Sequence, residues 1–303
     1  MREAFVNELS RQAMIDPRIV LITGDLGYGV LESFAEEFPG RFFNAGISEQ
    51  AMMGMAAGLA SRGNKVFVYS IGNFPTLRCL EQIRNDVCLM NNPVCIVSVG
   101  AGYAYGAQGY SHHALEDIAC MRVLPNMRVL VPSDPVETKY SVASICEKPR
   151  PTYLRLGKSN ESNLHFSSEN LDIESPIQLT TGANGSVLFC GSIGKVALAA
   201  NDMLKKIGLS ISVYSVPDIS AISNQFLKKI AEEGPILTLE EHFKHGGFGS
   251  YILERYSEIG VFPDLRIVGA QRTQPNLIGD QDYLRTANGI SPEILLSHFQ
   301  PLR

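Results

Sequence analysis

Short, unbroken runs of apolar and mostly β-branched residues recur along the whole chain. They are Arg18–Thr23, Lys65–Ser70, Val94–Val99, Arg128–Pro132 and Thr152–Leu156, then Ser186–Cys190, Ile211–Val216, Pro235–Glu240 and Asp264–Gly269. A half-exposed strand alternates apolar with polar residues; these runs do not, so they read as strands covered on both faces. Segments of helical spacing separate them at Leu31–Phe38, Glu49–Ser61, Thr76–Met90, Gly194–Ile207 and Asn224–Glu233, with Arg41–Ala45 extended between the first two. A last helix opens at Ser291 as N-cap with Pro292 at its first helical position. Strand followed by helix implies βαβ units, hence an α/β fold with mainly parallel sheets flanked by helices.

The alternation lapses once. Gly157–Asn170 is polar and rich in Ser and Asn, and the strand pattern resumes only after Gly185. The expected organisation is therefore a domain over residues 1–158, a linker over 159–184 and a second domain over 185–303, in keeping with a length of 303 residues. Lys and Arg total 26 against 31 Asp and Glu, for a net charge of −5, which argues against a nucleic-acid partner. The longest apolar stretch, Val94–Ala104, falls short of the roughly 18 residues a membrane span needs, and the polar N-terminus does not read as a signal peptide. Six cysteines lack C-x-x-C or other metal-ligand spacing and sit mostly in apolar runs, as buried thiols in a reducing compartment do. These features predict a soluble, cytoplasmic protein with no metal site of its own.

Several segments could carry chemistry. Phe43–Ala60 places Glu49 and Gln50 at the mouth of a helix built from methionines and small residues, with Gly54, Ala56, Ala57, Gly58 and Ala60 allowing a close helix neighbour or a subunit interface. Glu49 is open to two readings: a first-turn acid favoured by the helix dipole, or a carboxyl raised in pKa by apolar surroundings and used for proton transfer. Asp25 follows a strand in Gly24-x-x-Gly27-x-Gly29, a weak phosphate-loop pattern because no long helix follows. Tyr69–Asp86 is a strand-to-helix segment holding Phe74 and Arg78, and Gly106–Met127 carries the adjacent His112 and His113 in a Gly-rich loop suited to a polar cleft.

Asn44–Gln50 and its small-residue helix resemble the pyrimidine-binding domain of the transketolase family, including 1-deoxyxylulose-5-phosphate synthase. In that family the glutamate bonds N1′ of the thiamine aminopyrimidine and promotes the tautomer that deprotonates the thiazolium; the matching residue is Glu49. The resemblance further implies that Asp25 approaches the cofactor across a dimer interface and that Phe74 stacks on the aminopyrimidine. It places Arg78 and Tyr69 at cofactor- and substrate-contacting positions, and His112 at the sugar hydroxyls, where an imidazole relays protons near neutral pH. Gln108 stands where the family has an Asp on the sugar, His113 where it usually has Gln, and Lys158 where it has a phosphate-binding Arg; Lys keeps the charge but loses the bidentate fork. Ser98–Gly100 also lacks the basic residue usual there. Acceptor recognition is therefore expected to differ from an ordinary pentose-phosphate transketolase. Leu239–Ser250 matches the family's second-domain glutamate pair and Gly-rich turn, to which the resemblance gives a structural and interface role rather than a metal.

The resemblance runs from Asp16 to Phe299 but covers only two of the family's three domains. The diphosphate-binding domain and its G-D-G motif are missing, since Gly279-Asp280-Gln281 lies in the wrong domain. With Met first and the pattern starting almost at once, the expectation is a separately encoded subunit. It would pair with an N-terminal transketolase subunit that supplies the Mg²⁺ and diphosphate ligands, in an α2β2 heterotetramer. The implied reaction transfers a two-carbon ketol unit from a ketose or ketose phosphate to an aldehyde, with thiamine diphosphate as cofactor. Alternatives are the β subunit of a 2-oxoacid dehydrogenase E1 component, against which the Ser111–Asp117 and Tyr69–Phe74 segments argue, and a non-catalytic regulatory subunit, against which Glu49 argues.

Overall fold

A computed structural model describes residues 1–158, 161, 163–165, 171–272 and 276–299. The N-terminal half comprises α1 (Arg2–Ile15), β1 (Ile19–Thr23), α2 (Glu32–Glu37), β2 (Phe42–Asn44), α3 (Glu49–Ala60) and β3 (Lys65–Ile71). It continues with α4 (Leu80–Gln82), which widens into a π-helical stretch over Ile83–Leu89, then β4 (Val94–Val99), α5 (Asp117–Arg122), β5 (Arg128–Leu130), α6 (Pro135–Glu147) and β6 (Thr152–Leu156). All six strands are parallel, in the order β2-β1-β3-β4-β6-β5.

The second half comprises β7 (Ile177–Thr180), β8 (Ser186–Phe189), α7 (Gly194–Lys205), β9 (Ser212–Ser215), α8 (Asn224–Glu232) and β10 (Ile236–Phe243), then α9 (Phe248–Glu258), β11 (Leu265–Ala270), α10 (Gln281–Ala287) and α11 (Pro292–Phe299). Its sheet runs β11-β10-β8-β9-β7 and is parallel except for the edge strand β7. The strand β7 lies inside the range read from sequence as linker, so the second sheet begins before Gly185. Ile177 and Leu179 are only half-buried there, and a short half-covered edge strand leaves a weak apolar signal. Of the polar linker, residues 159, 160, 162 and 166–170 lie outside the described residues.

One face of the first sheet packs on α1 and α6 through Phe5, Leu9, Leu21, Phe67, Val97, Val142 and Leu154. The opposite face packs on α3 and the π-helical stretch through Met52, Ala56, Val68, Ile83 and Val87. That core continues without a break into Leu188, Tyr214, Ile219 and Phe248 of the second domain. A shared apolar core of this kind holds two domains in one arrangement rather than leaving them free to hinge. The backbones also meet, Val131 N donating to Pro217 O at 2.7 Å and Gly191 N to Val131 O at 3.0 Å. Five of the six thiols are buried and Cys120 is half-buried; none is in a disulfide. No helix among the described residues is long and apolar enough to cross a membrane.

Candidate active site

In an open parallel sheet, ligands bind beyond the carboxyl ends of the strands where the strand order reverses. Here β1 has β2 on one side and β3 on the other, so the reversal falls between β1 and β3. Asp25, Phe74, Arg78, His112 and Lys158 all lie in segments that follow the carboxyl ends of β1, β3, β4 or β6, and Glu49 opens the helix after β2.

Glu49 begins α3 with its side chain 4% exposed, and its Oε2 takes a 2.7 Å ion pair from Arg78 Nη1. Gln50 Nε2 donates to Arg78 O at 3.1 Å, fixing the turn that carries the arginine. Glu49 Oε1 accepts no hydrogen bond among the described residues. The carboxylate lines a recess of about 410 Å³ with Ile47, Ser48, Gln50, Ala51 and Arg78. Its setting is therefore mixed rather than wholly apolar: methionines and alanines lie behind it and a guanidinium in front. The reason lies beyond α3, because the turn after β3 brings in a cation that the helix's own composition does not reveal. The small-residue stripe is also divided. Ala56, Ala57 and Ala60 face the core, while Gly54 and Gly58 face outward with nothing within 4 Å of an added Cβ.

A line of side chains runs from this recess. The Arg78 guanidinium lies 4.7 Å from the centroid of the half-buried Phe74 ring, and Phe74 meets His112 edge-on at 5.5 Å. Ser111 Oγ is 3.0 Å from His112 Nδ1. Beyond the histidine lies Tyr105 at 6.4 Å, and Lys158 Nζ sits 5.1 Å over the Tyr105 ring. Glu49, Arg78, Phe74, His112 and Lys158 are thus brought together from four separate segments. Tyr105, the link between the last two, was not singled out from sequence; its one signal is Gly100 at φ +91°, where a Cβ would fall 2.2 Å from the Tyr105 ring.

The other expected residues are placed differently. Asp25 is exposed at φ +57°, and the hydrogen bonds it accepts from Asn44 and Tyr28 hold its carboxyl below the usual range. It belongs to the rim next to β2 rather than to the Glu49 recess. Gln108 is exposed in a tight turn, with no side-chain partner among the described residues. Tyr69, expected at the substrate, is a core residue: 1% exposed, with its ring stacked on Phe5 at 5.8 Å, because at that position the pleat of β3 faces α1. His113, also expected at the substrate, is 2% exposed and within hydrogen-bonding distance of Gly106 O at 3.2 Å, so it packs the loop that presents His112.

Behind the loop lies a buried polar cluster. Arg155 Nε donates to Asp117 Oδ2 at 2.6 Å, and the Tyr153 hydroxyl donates to the same oxygen. From the second domain, His242 lies with Nε2 3.9 Å from Asp117 Oδ1, takes a hydrogen bond there from Ala119 N, and bonds Phe243 O through Nδ1 at 2.7 Å. Glu240 caps α9, accepting from Phe248 N and Gly249 N at 2.6 and 2.9 Å, and burial raises its carboxyl to about 8. No group of three or more His, Cys, Asp or Glu placed to hold a metal occurs among the described residues.

Burial lowers His242 to about 4, against an ordinary 6.5. Between those values the unfolded chain binds a proton the folded chain refuses, so this residue's contribution to stability is lost as pH falls through the window. Glu240 acts in the opposite sense, so a single stability curve would hide the effect. The stability difference between wild type and His242→Gln should rise with pH between 4 and 6.5 by as much as about 1.4 kcal/mol per unit, then level off. Urea unfolding of both proteins across that range checks this; a pH-independent difference would rule it out.

Comparison with known proteins gives a consistent result. The family model described as "Transketolase, pyrimidine binding domain" matches residues 1–162, and "Transketolase, C-terminal domain" matches residues 181–292. One of the subunits of an apulose-4-phosphate transketolase, from Phocaeicola vulgatus, is 36% identical, over 88% of this chain and 86% of its own length. A putative transketolase C-terminal section from Methanocaldococcus jannaschii is 34% identical, over 89% and 85%. The 1-deoxy-D-xylulose-5-phosphate synthase of Shouchella clausii is 36% identical over 88% of this chain, which spans only 43% of that enzyme. Among solved structures, a split-gene transketolase described as an inactive β4 tetramer superimposes with a TM-score of 0.86 at 34% identity, covering 99% of this chain and 96% of the other.

Proposed function

Because this chain belongs to the transketolase family, we propose that it is the pyrimidine-binding and C-terminal subunit of a split transketolase, moving a two-carbon ketol unit from a ketose or ketose phosphate to an aldehyde. The family depends on thiamine diphosphate. The observation that carries the reading is the line Glu49–Arg78–Phe74–His112 along the sheet's carboxyl edge. The residues fit the pyrimidine half of that cofactor: a buried carboxylate keeps one oxygen free beside an open recess and near a half-buried ring. When bound, thiamine diphosphate supplies the electron sink for breaking and remaking the ketose C–C bond. Glu49 Oε1 then holds a proton at the pyrimidine nitrogen, and Arg78 fixes the rotamer through Oε2. Phe74 packs against the ring, while Asp25 serves from the exposed rim, where a second chain can approach.

His112 holds and moves protons at sugar hydroxyls. Its imidazole is half-buried and its Nδ1 lies within hydrogen-bonding distance of Ser111 Oγ, which orients the ring. Lys158 and Gln108 meet the polar end of the sugar, Lys158 as a point charge for an anionic substituent. The diphosphate and Mg²⁺ fall to an N-terminal partner subunit in an α2β2 assembly. The similar split-gene chain, described as inactive when it forms a tetramer of its own, supports this division. This chain alone, given thiamine diphosphate and Mg²⁺, should show under about 1% of the ketol-transfer rate of the reconstituted complex, since a site lacking one half forfeits most of its positioning. Native mass determination with cofactor titration of both samples checks it. Comparable turnover by the chain alone would overturn the split site.

A further inference from the structure

The loop that carries His112 is closed on itself. Gly102 and Ala114 exchange backbone hydrogen bonds at 3.0 Å in each direction, and residues 103–113 lie between them. The second domain grips this neck directly at two points and, at a third, through Arg155 of β6 in the first domain. Tyr103 N donates to Glu241 Oε1 at 2.5 Å, Phe243 N donates to Leu115 O at 3.0 Å, and Arg155 Nη2 bridges Ala114 O and Glu241 O at 2.7 and 3.0 Å. Glu241 is 5% exposed and fully engaged: Oε1 also accepts from Gln281 Nε2 at 2.8 Å, and Oε2 accepts from Arg285 Nε at 2.5 Å. Gly102 sits at φ +60°, and a Cβ there would fall 2.5 Å from the Glu241 side chain, so the neck lies closer to the carboxylate than a side-chain-bearing residue permits.

A charge-assisted bond from a backbone N–H to a buried carboxylate is among the stronger fixings a loop can have. Arg285, which holds the far side of Glu241, is itself anchored to Ser192 O at 3.2 Å. The grip is thus continuous from the start of the second domain's α7 region to the neck of the loop. The Glu241 carboxylate is taken up by Tyr103, Gln281 and Arg285 rather than by His112, and the recess at Glu49 does not include it.

We infer that Glu241 is a positioning residue of the second domain, setting where His112 stands by fixing the neck of its loop at Tyr103. This rests on the reading of His112 as the proton-handling group. A misplacement of about 1 Å at a reacting group costs on the order of 10²-fold. E241Q should therefore lower kcat of the reconstituted complex by about 10- to 100-fold, with cofactor affinity and assembly unchanged. The E241Q/H112A double variant should be no slower than H112A alone, because Glu241 acts through that histidine.

A second measurement needs no turnover. Deuterium uptake by residues 103–113 of the chain alone should quicken about tenfold or more in E241Q, the same loss of fixing read directly, with β1 and β3 unchanged. E241D, which keeps the charge but withdraws it by one methylene, should do likewise and serves if E241Q does not fold. Wild-type kcat in E241Q, effects that multiply in the double variant, or unaltered uptake would each overturn the proposal. If H112A itself is silent, the assignment of His112 fails instead, and the uptake measurement alone decides whether Glu241 holds the loop.

Discussion

Glu49→Gln is expected to lower ketol transfer by the reconstituted complex about 10²- to 10⁴-fold while leaving the fold and the assembly intact. The substitution keeps the side chain's size in a site that is 4% exposed, so it opens no cavity at the start of α3. What is lost is the negative charge. An amide cannot hold a proton at a pyrimidine nitrogen, and it leaves Arg78 without the partner it meets at 2.7 Å. Arg78 is 47% exposed, so that loss is absorbed by water and costs little stability. Initial rates, thermal midpoint and native mass are to be measured on the same preparations. A variant that assembles and turns over within tenfold of wild type would mean that the line of residues is a scaffold, and would favour a regulatory subunit. An inactive variant that no longer assembles would point to the partner interface instead.

How far the sequence speaks for itself follows from where each residue's neighbours come from. The strands were legible because burial on both faces leaves continuous runs such as Val94–Val99, every residue of which is buried. The helices α1 and α6 were not named, because their inward faces include polar groups that break the apolar stripe. Glu8 is held there by Arg11 and Gln12, and Glu137 by Ser133 N. Glu49, Phe74, Arg78, His112 and Lys158 were picked out through motif resemblance alone, and the fold sets them along one line without assigning any of them a role. Tyr69 and His113 show the limit of that method: a motif gives the position along the chain, but the pleat of β3 and the closure of the loop decide which way the side chain faces. The grip of Glu241 on Tyr103 was beyond reach: the motif marks the glutamate pair but not its partner, and Tyr103 stands far away in sequence with nothing local to mark it.

The largest effect on stability is expected at Arg155. Its guanidinium is 2% exposed and bonds Asp117 at 2.6 and 3.3 Å, Ala114 O at 2.7 Å and Glu241 O at 3.0 Å, tying β6 to α5 and to the second domain's β10. Burial, the largest single influence, would push the Asp117 carboxyl up, but Arg155, His242 and Tyr153 together outweigh it and keep the group below its ordinary value. Arg155→Met leaves that carboxylate buried with only Tyr153 and His242 beside it, and should cost about 3–5 kcal/mol. Removing the other charge as well, in Asp117→Asn with Arg155→Met, should recover part of the loss, because an unpaired buried charge costs more than an absent pair. Urea unfolding of wild type and the two variants at neutral pH tests this. Recovery in the double variant would show that electrostatic pairing, rather than the volume of the arginine, holds the neck of the His112 loop to the second domain. A loss below about 1 kcal/mol in Arg155→Met, typical of an exposed pair, would mean that the shared apolar core alone joins the two domains.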